Sequence, residues 1–244
     1  MKYTGSKARI SVEISSIINE IIEEKDIKTY IEPFVGGGNL IENIVCEKKI
    51  GSDNNKYLIA LWKYLLKNGF EDIPIFISKE EYKKVKENKD SGMFPDWYVG
   101  LCGICASYNG NWFSSYGAVA IRKKNGKIEE YYKQSLRGIV KQINKLKDVN
   151  FVCGDYTEFS ESNNSFIYCD PPYLKNIKTY NSREFNHEVF WEWVRKMSKT
   201  NVVLVSEYSA PNDFKIIWEK QLAKTFPNQK GKSPTEKLFR LNYE

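Results

Sequence analysis

Apolar residues at Val12, Ile14, Ile17, Ile18, Ile21 and Ile22 recur close to every 3.6 positions, and this spacing predicts an amphipathic helix over Ser11–Glu24. A short apolar run follows at Thr29–Glu32, then "EPFVGGGNL" turns the chain into a second predicted helix over residues 39–47. "KKIGSD" reads as a strand ending on Asp53, and residues 54–68, "NNKYLIALWKYLLKN", as a strong helix. Strands alternating with helices in this way are the signature of an open, mostly parallel α/β sheet.

The pattern changes over residues 70–129 to short, aromatic and glycine-rich pieces, with Asn125-Gly126 between alternating residues signalling a hairpin. This segment reads as a lobe inserted into the sheet domain. The α/β pattern then returns: a helix over 131–146, strands over 150–155 and 165–170, a helix over 188–198, a strand over 201–207 and a last strand over 236–243. There is no internal repeat and no low-complexity tract.

With 244 residues and 41% hydrophobic content the chain can fill the core of one large α/β domain carrying an insertion. The five cysteines are odd in number and scattered, which fits reduced thiols in a cytoplasmic protein. Cys102 and Cys105 form a lone C-x-x-C with no second pair and no nearby histidine, so they read as small helix-packing residues and no metal site is expected. No run of 18 apolar residues exists and the amino-terminal stretch "MKYTGSKARI" is polar, so neither a membrane span nor a secretion signal is expected. The net charge of +6 permits a polyanionic partner without demanding one.

In open parallel sheets ligands bind beyond the carboxyl ends of the strands. Four predicted strand ends finish in a carboxylate, at Glu32, Asp53, Asp155 and Asp170, and two of them adjoin Gly36-Gly37-Gly38 and Pro171-Pro172. The glycine turn places isoleucine at Ile41 where a dinucleotide fingerprint needs its third glycine, and no G-K-[ST] follows, so phosphates are disfavoured. A side-chain-free loop with an acid able to accept two ribose hydroxyls suits an adenosine-type ligand without phosphates.

The motifs "KYTGSK" at 2–7, "EPFVGGG" at 32–38, "SDNN" at 52–55 and "DPPY" at 170–173, in this order and spacing, make the sequence resemble the Dam-like group of S-adenosyl-L-methionine-dependent DNA adenine N6-methyltransferases, with a phage-type cast. The resemblance covers most of the chain. It implies a Rossmann-like methyltransferase sheet with residues 1–69 as the cofactor-binding half, 70–129 as the target-recognition lobe and 130–244 as the catalytic half. It further implies that Tyr3 packs by the cofactor and that Lys7 meets its carboxylate end. Glu32, Pro33, Phe34, Gly36 and Gly38 would surround its methionine and ribose, Asp53 would hold the ribose hydroxyls, Asp155 would lie near its adenine, and Asp170 would border both cofactor and substrate.

The reaction explains the last motif. The exocyclic amine of adenine is a poor nucleophile because its lone pair is delocalised, and two acceptors facing its two hydrogens would draw that pair toward the methyl group. Asp170 supplies one acceptor and the Pro171 carbonyl the other, while Tyr173 offers a ring face for a base flipped out of the duplex. No covalent intermediate is required, in keeping with a chain whose single histidine, His187, reads as a helix-start residue. No Pro-Cys dipeptide occurs, which argues against cytosine C5 chemistry.

Trp112, Arg122, Lys123 and Lys124 in the lobe, with Phe113, Tyr116 and Lys127 beside them, mix rings and positive charge in a way that suits double-stranded DNA. Lys175, Lys178 and Arg183 follow the catalytic motif and are placed to hold the backbone around an extruded base. Members that read GATC carry an arginine in the segment matching "GICASYNGNWF", where this chain has Ala106 and Ser107, so the recognition sequence stays open. The remaining chain holds no nuclease module, and a restriction partner would be a separate protein; the enzyme itself is expected to act as a monomer. Cytosine N4 methylation, RNA methylation and non-catalytic DNA binding on the same fold are the alternatives.

Overall fold

The computed structural model describes residues 1–121, 128–173, 185–222 and 235–242. The chain begins with helix α1 (Ser11–Glu24), strand β1 (Thr29–Glu32), strand β2 (Lys48–Asp53) and helix α2 (Lys56–Asn68). Helices α3 (Lys79–Glu87) and α4 (Asp96–Cys105) follow, then a small hairpin of β3 (Ala120–Ile121) and β4 (Ile128–Glu129). Helix α5 (Tyr131–Ile143), strands β5 (Val149–Cys153) and β6 (Ser165–Cys169), helix α6 (His187–Met197), and strands β7 (Val202–Glu207), β8 (Phe214–Gln221) and β9 (Thr235–Leu241) complete it.

Seven strands form one sheet in the order β5-β2-β1-β6-β7-β9-β8. The first five are parallel, and β9 runs against both of its neighbours. Strand order reverses between β1 and β6, and the crevice beyond the carboxyl ends at that point is where such sheets bind ligands.

The central strands are buried on both faces, so their alternation sorts apolar residues between two cores rather than between core and water. Tyr30, Phe166 and Tyr168 face one core, shared with α1, α2, α4 and α5, where Trp62 stacks on Phe151 at 5.6 Å. Ile31, Ile167 and Cys169 face the other, filled by Phe190, Trp191, Trp193 and Val194 of α6.

The helix predicted over 39–47 is absent: only a single 3-10 turn, Ile41–Asn43, forms there. Asn19 of α1 explains why. Its amide donates to the Asn43 carbonyl at 3.0 Å and its carbonyl oxygen accepts from the Val45 N–H at 2.9 Å. Backbone groups that would have continued the helix are satisfied from outside, and the chain leaves extended toward β2.

The pattern also missed β8, whose "FKIIWEKQ" is half-exposed and broken by an irregularity between Ile216 and Trp218. Asp155 does not end a strand. β5 stops at Cys153, and Asp155 caps the 3-10 turn Tyr156–Phe159 by accepting from the Thr157 N–H at 3.0 Å.

The expected insertion contains two helices, and α4 lies directly on α2. A Cβ on Gly100 would stand 2.2 Å from the Tyr57 carbonyl oxygen, so only glycine lets the helices approach this far. Cys102 and Cys105 are buried in that helix, as expected of packing residues, and burial pushes both thiols up to about 12. The β3–β4 ladder pairs Ala120 with Glu129 and Ile121 with Ile128, as the hairpin signal predicts; the Asn125-Gly126 turn lies outside the described residues.

Candidate active site

A cavity of about 240 Å³ opens at the switch point. Its walls come from the loop before α1, the glycine turn after β1, the end of β2, the turn after β5, the residues following β6, and Glu236 at the start of β9.

The glycine turn is fixed from several sides. The Val35 N–H donates to the Ser52 carbonyl at 2.8 Å, Trp62 Nε1 to the Gly36 carbonyl at 3.1 Å, and Gln142 Nε2 to the Gly37 carbonyl at 2.9 Å. Gly36 has φ of +46°, and a Cβ there would meet the Tyr3 ring at 3.0 Å. The turn is thus a bare backbone cradle with Tyr3 beside it. Gly38, also at positive φ, faces Trp62, Gln142 and Leu146 in the core instead of the cavity.

Asp53 closes one side. Its Oδ2 accepts from the Gly36 N–H at 3.1 Å and its Oδ1 from the Asn55 N–H at 2.9 Å. Burial raises this carboxyl to about 6, against the lowering effect of those two amides. Each oxygen keeps a further lone pair for a diol. Glu32 lies deeper, buried, with Tyr30 donating to its Oε2 at 2.9 Å; burial holds it well above the usual carboxylate range.

Around Asp170 the groups are denser. Lys7 Nζ stands 2.7 Å from Asp170 Oδ1 and 4.6 Å from the centre of the Tyr173 ring. The Tyr173 hydroxyl donates to Glu236 Oε2 at 2.8 Å, and that oxygen lies 3.9 Å from Lys7 Nζ. Tyr208 meets the Tyr173 ring edge-on at 4.7 Å. Burial raises Asp170 to about 6; Lys7 opposes the shift and Glu236 adds to it.

Tyr3, Lys7, Glu32, Pro33, Phe34, Gly36, Asp53, Asp155, Asp170, Pro171 and Tyr173, all predicted from sequence, border this one cavity. Trp112 does not: it stacks on Tyr57 at 5.6 Å and packs edge-on against Phe113, under the lobe. Arg122, Lys123, Lys124, Lys127, Lys175, Lys178 and Arg183 lie outside the described residues. Tyr156, Phe185, Tyr208 and Glu236 line the cavity without having been named from the sequence. Tyr156 stacks with Phe34 at 5.7 Å to make an aromatic wall, and Glu236 reaches the cavity because β9 is reversed, which carries the start of that strand to the edge where the parallel strands end.

The profile of the family described as "D12 class N6 adenine-specific DNA methyltransferase" matches residues 3–224. The chain belongs to this family. The D12 methyltransferase is 29% identical over 285 residues to the type II methyltransferase M.MjaIII of Methanocaldococcus jannaschii, covering 99% of this chain and 96% of that one. It is 27% identical over 211 residues to the type II methyltransferase M.FokI of Planomicrobium okeanokoites, covering 80% of this chain but only 31% of the longer relative. Among solved structures, the rRNA methyltransferase aviRa of Streptomyces viridochromogenes is similar with a TM-score of 0.44 and 11% identity, covering 98% of this chain and 86% of that one. Adenine N6 chemistry on DNA, anticipated from the DPPY reading, is the family's activity, and the cytosine, RNA and non-catalytic alternatives are not favoured. Membership implies S-adenosyl-L-methionine as methyl donor. No helix among the described residues is long and apolar enough to cross a membrane.

Proposed function

We propose that this D12 methyltransferase methylates N6 of an adenine extruded from double-stranded DNA, with the cofactor in the cradle between Tyr3, the Glu32–Gly36 turn and Asp53. The observation that carries the reading is the placement of two chemistries on one crevice: an acid-closed, side-chain-free turn on the β1 side and the Asp170–Tyr173 turn on the β6 side. S-adenosyl-L-methionine supplies an electrophilic methyl on a sulfonium centre. The residues fit such a ligand, since Asp53 retains acceptor capacity for a ribose diol and Phe34 and Tyr156 offer flat apolar surface for a purine.

Asp170 and the Pro171 carbonyl then accept the two hydrogens of the adenine amine, holding its lone pair in line with the methyl group. Tyr173 stacks on the base. With Lys7 over one face of its ring, the other face is the one offered. Asp155, at the outer rim, takes the cofactor's adenine edge. The lobe over 70–129, to which Trp112, Arg122, Lys123 and Lys124 belong, meets the duplex; Lys175 and Lys178 hold the strand near the extruded nucleotide.

Expression in a host lacking adenine methylation, followed by mapping of modified bases across its genome, tests this. N6-methyladenine at one recurrent sequence, lost on Asp170→Ala, is the expected outcome; a blank map, or N4-methylcytosine in its place, would remove the reading.

A further inference from the structure

Glu236, at the start of β9, is buried and lines the cavity, and nothing in the strand ladder requires a carboxylate there. Its backbone pairs with Lys220 of β8, as any residue could, while its carboxylate turns inward to take the Tyr173 hydroxyl at 2.8 Å. A buried carboxyl group so near a second one needs polar partners, and those it has are the Tyr173 hydroxyl and the Lys7 ammonium.

What it touches suggests the use. The Tyr173 ring is held at its hydroxyl by Glu236, on one face by Lys7, and against the nearly perpendicular ring of Tyr208. Lys7 in turn bridges the two acids, at 2.7 Å from Asp170 and 3.9 Å from Glu236. Without Glu236, the tyrosine could rotate about its side-chain bonds and Lys7 would lose its second anchor. We propose that Glu236 is a positioning residue for methyl transfer, locking the Tyr173 ring and the Lys7 ammonium in register with Asp170. This inference rests on the adenine-methylation reading of the same site.

The test uses the full chain in single-turnover methyl transfer to a duplex carrying its mapped site, with cofactor affinity and melting temperature measured alongside. Glu236→Gln should slow transfer by about 100-fold, the loss expected from a small misplacement of reacting groups, with cofactor affinity and melting temperature nearly unchanged. Glu236→Asp, which keeps the charge, should recover part of the rate. In a Tyr173→Phe background, Glu236→Gln should add less than about twofold, because the two residues act as one unit. Asp170 is faced by Lys7 from the amino-terminal loop, Glu32 from β1, Tyr173 from its own turn and Glu236 from β9; removing one anion should move the acid limb of the rate profile to lower pH. Full activity of Glu236→Gln, strictly additive losses, or a rate loss matched by lost cofactor affinity would overturn the proposal. Should Glu236→Gln fail to fold, full activity of the Asp variant together with its additivity to Tyr173→Phe would do so. A wild-type chain that methylates no DNA would instead sink the parent reading, and the two failures are seen in different samples.

Discussion

Lys7 and Asp170, 163 positions apart in a chain of 244, form an ion pair of 2.7 Å inside the candidate site. The pairing means that a lysine from near the amino terminus offsets part of the burial that raises the carboxyl assigned to the amine. Asp170→Ala should therefore reduce transfer by at least about 1,000-fold, the upper range for losing one charge-stabilising group, while cofactor and DNA binding stay within a few-fold. Separate equilibrium binding and single-turnover assays check it, and an active variant would refute the assigned role.

The same pair sets the pH response. Asp170 must be unprotonated to accept an amine hydrogen, so the rate should fall as pH drops below about 6, where this carboxyl titrates. Lys7 lowers that value, and Lys7→Met should push the acid limb to higher pH. Rate profiles for the two proteins decide the matter; coincident profiles would detach the lysine from the acid.

Stability should run the other way from most carboxylate-rich proteins. Asp53 and Asp170 both titrate near 6 when folded, above the ordinary 3.8. A raised folded value leaves more protons on the native state between about 4 and 6, so stability is fully present below the lower value and is lost as pH rises through the upper. The melting temperature of the ligand-free protein should decline from pH 4.5 to 7 through this contribution, and Asp53→Asn with Asp170→Asn should flatten the decline.

Gly36→Ala should weaken cofactor binding and destabilise the protein. The left-handed backbone costs about 1–2 kcal/mol for a residue with a side chain, and the added methyl meets the Tyr3 ring at 3.0 Å. Calorimetric titration and thermal melts measure the two effects, and unchanged affinity would place the cofactor away from this turn.

Asn19→Ala should cost about 0.5–1.5 kcal/mol, the net worth of hydrogen bonds to partly exposed backbone groups. The Asn43 carbonyl and the Val45 N–H both lose their partner. Denaturant unfolding gives the value, and a neutral result would remove the reason offered for the missing helix.

Legibility in the sequence followed the range of the forces involved. Helices α1 and α2 and strands β1, β2 and β6 could be read because local periodicity and caps such as Asn55 decide them. The 39–47 segment misled because its outcome lies with Asn19, more than 20 positions away, which no local window contains. The residues that line the β1 side of the cavity could be named from motifs that lie at strand ends. Glu236 escaped since its relevance depends on the direction of β9, a property of the assembled sheet. Trp112 reads equally as a surface ring or a buried one, and packing against Tyr57 and Gly103 shows where its area went.

The order of strands also fixes an order of events. β8 is made before β9 yet lies beyond it, paired with no other strand of the sheet. The antiparallel β8–β9 pair joins the rest of the sheet through β9 alone, and its docking on β7 is the less local pairing. Without that docking β7 presents an open edge and the Tyr173 hydroxyl has no Glu236 carboxylate to meet. On the proposed reading, modification of DNA therefore requires the carboxyl-terminal strand pair to be docked on β7, since only then does Tyr173 meet Glu236.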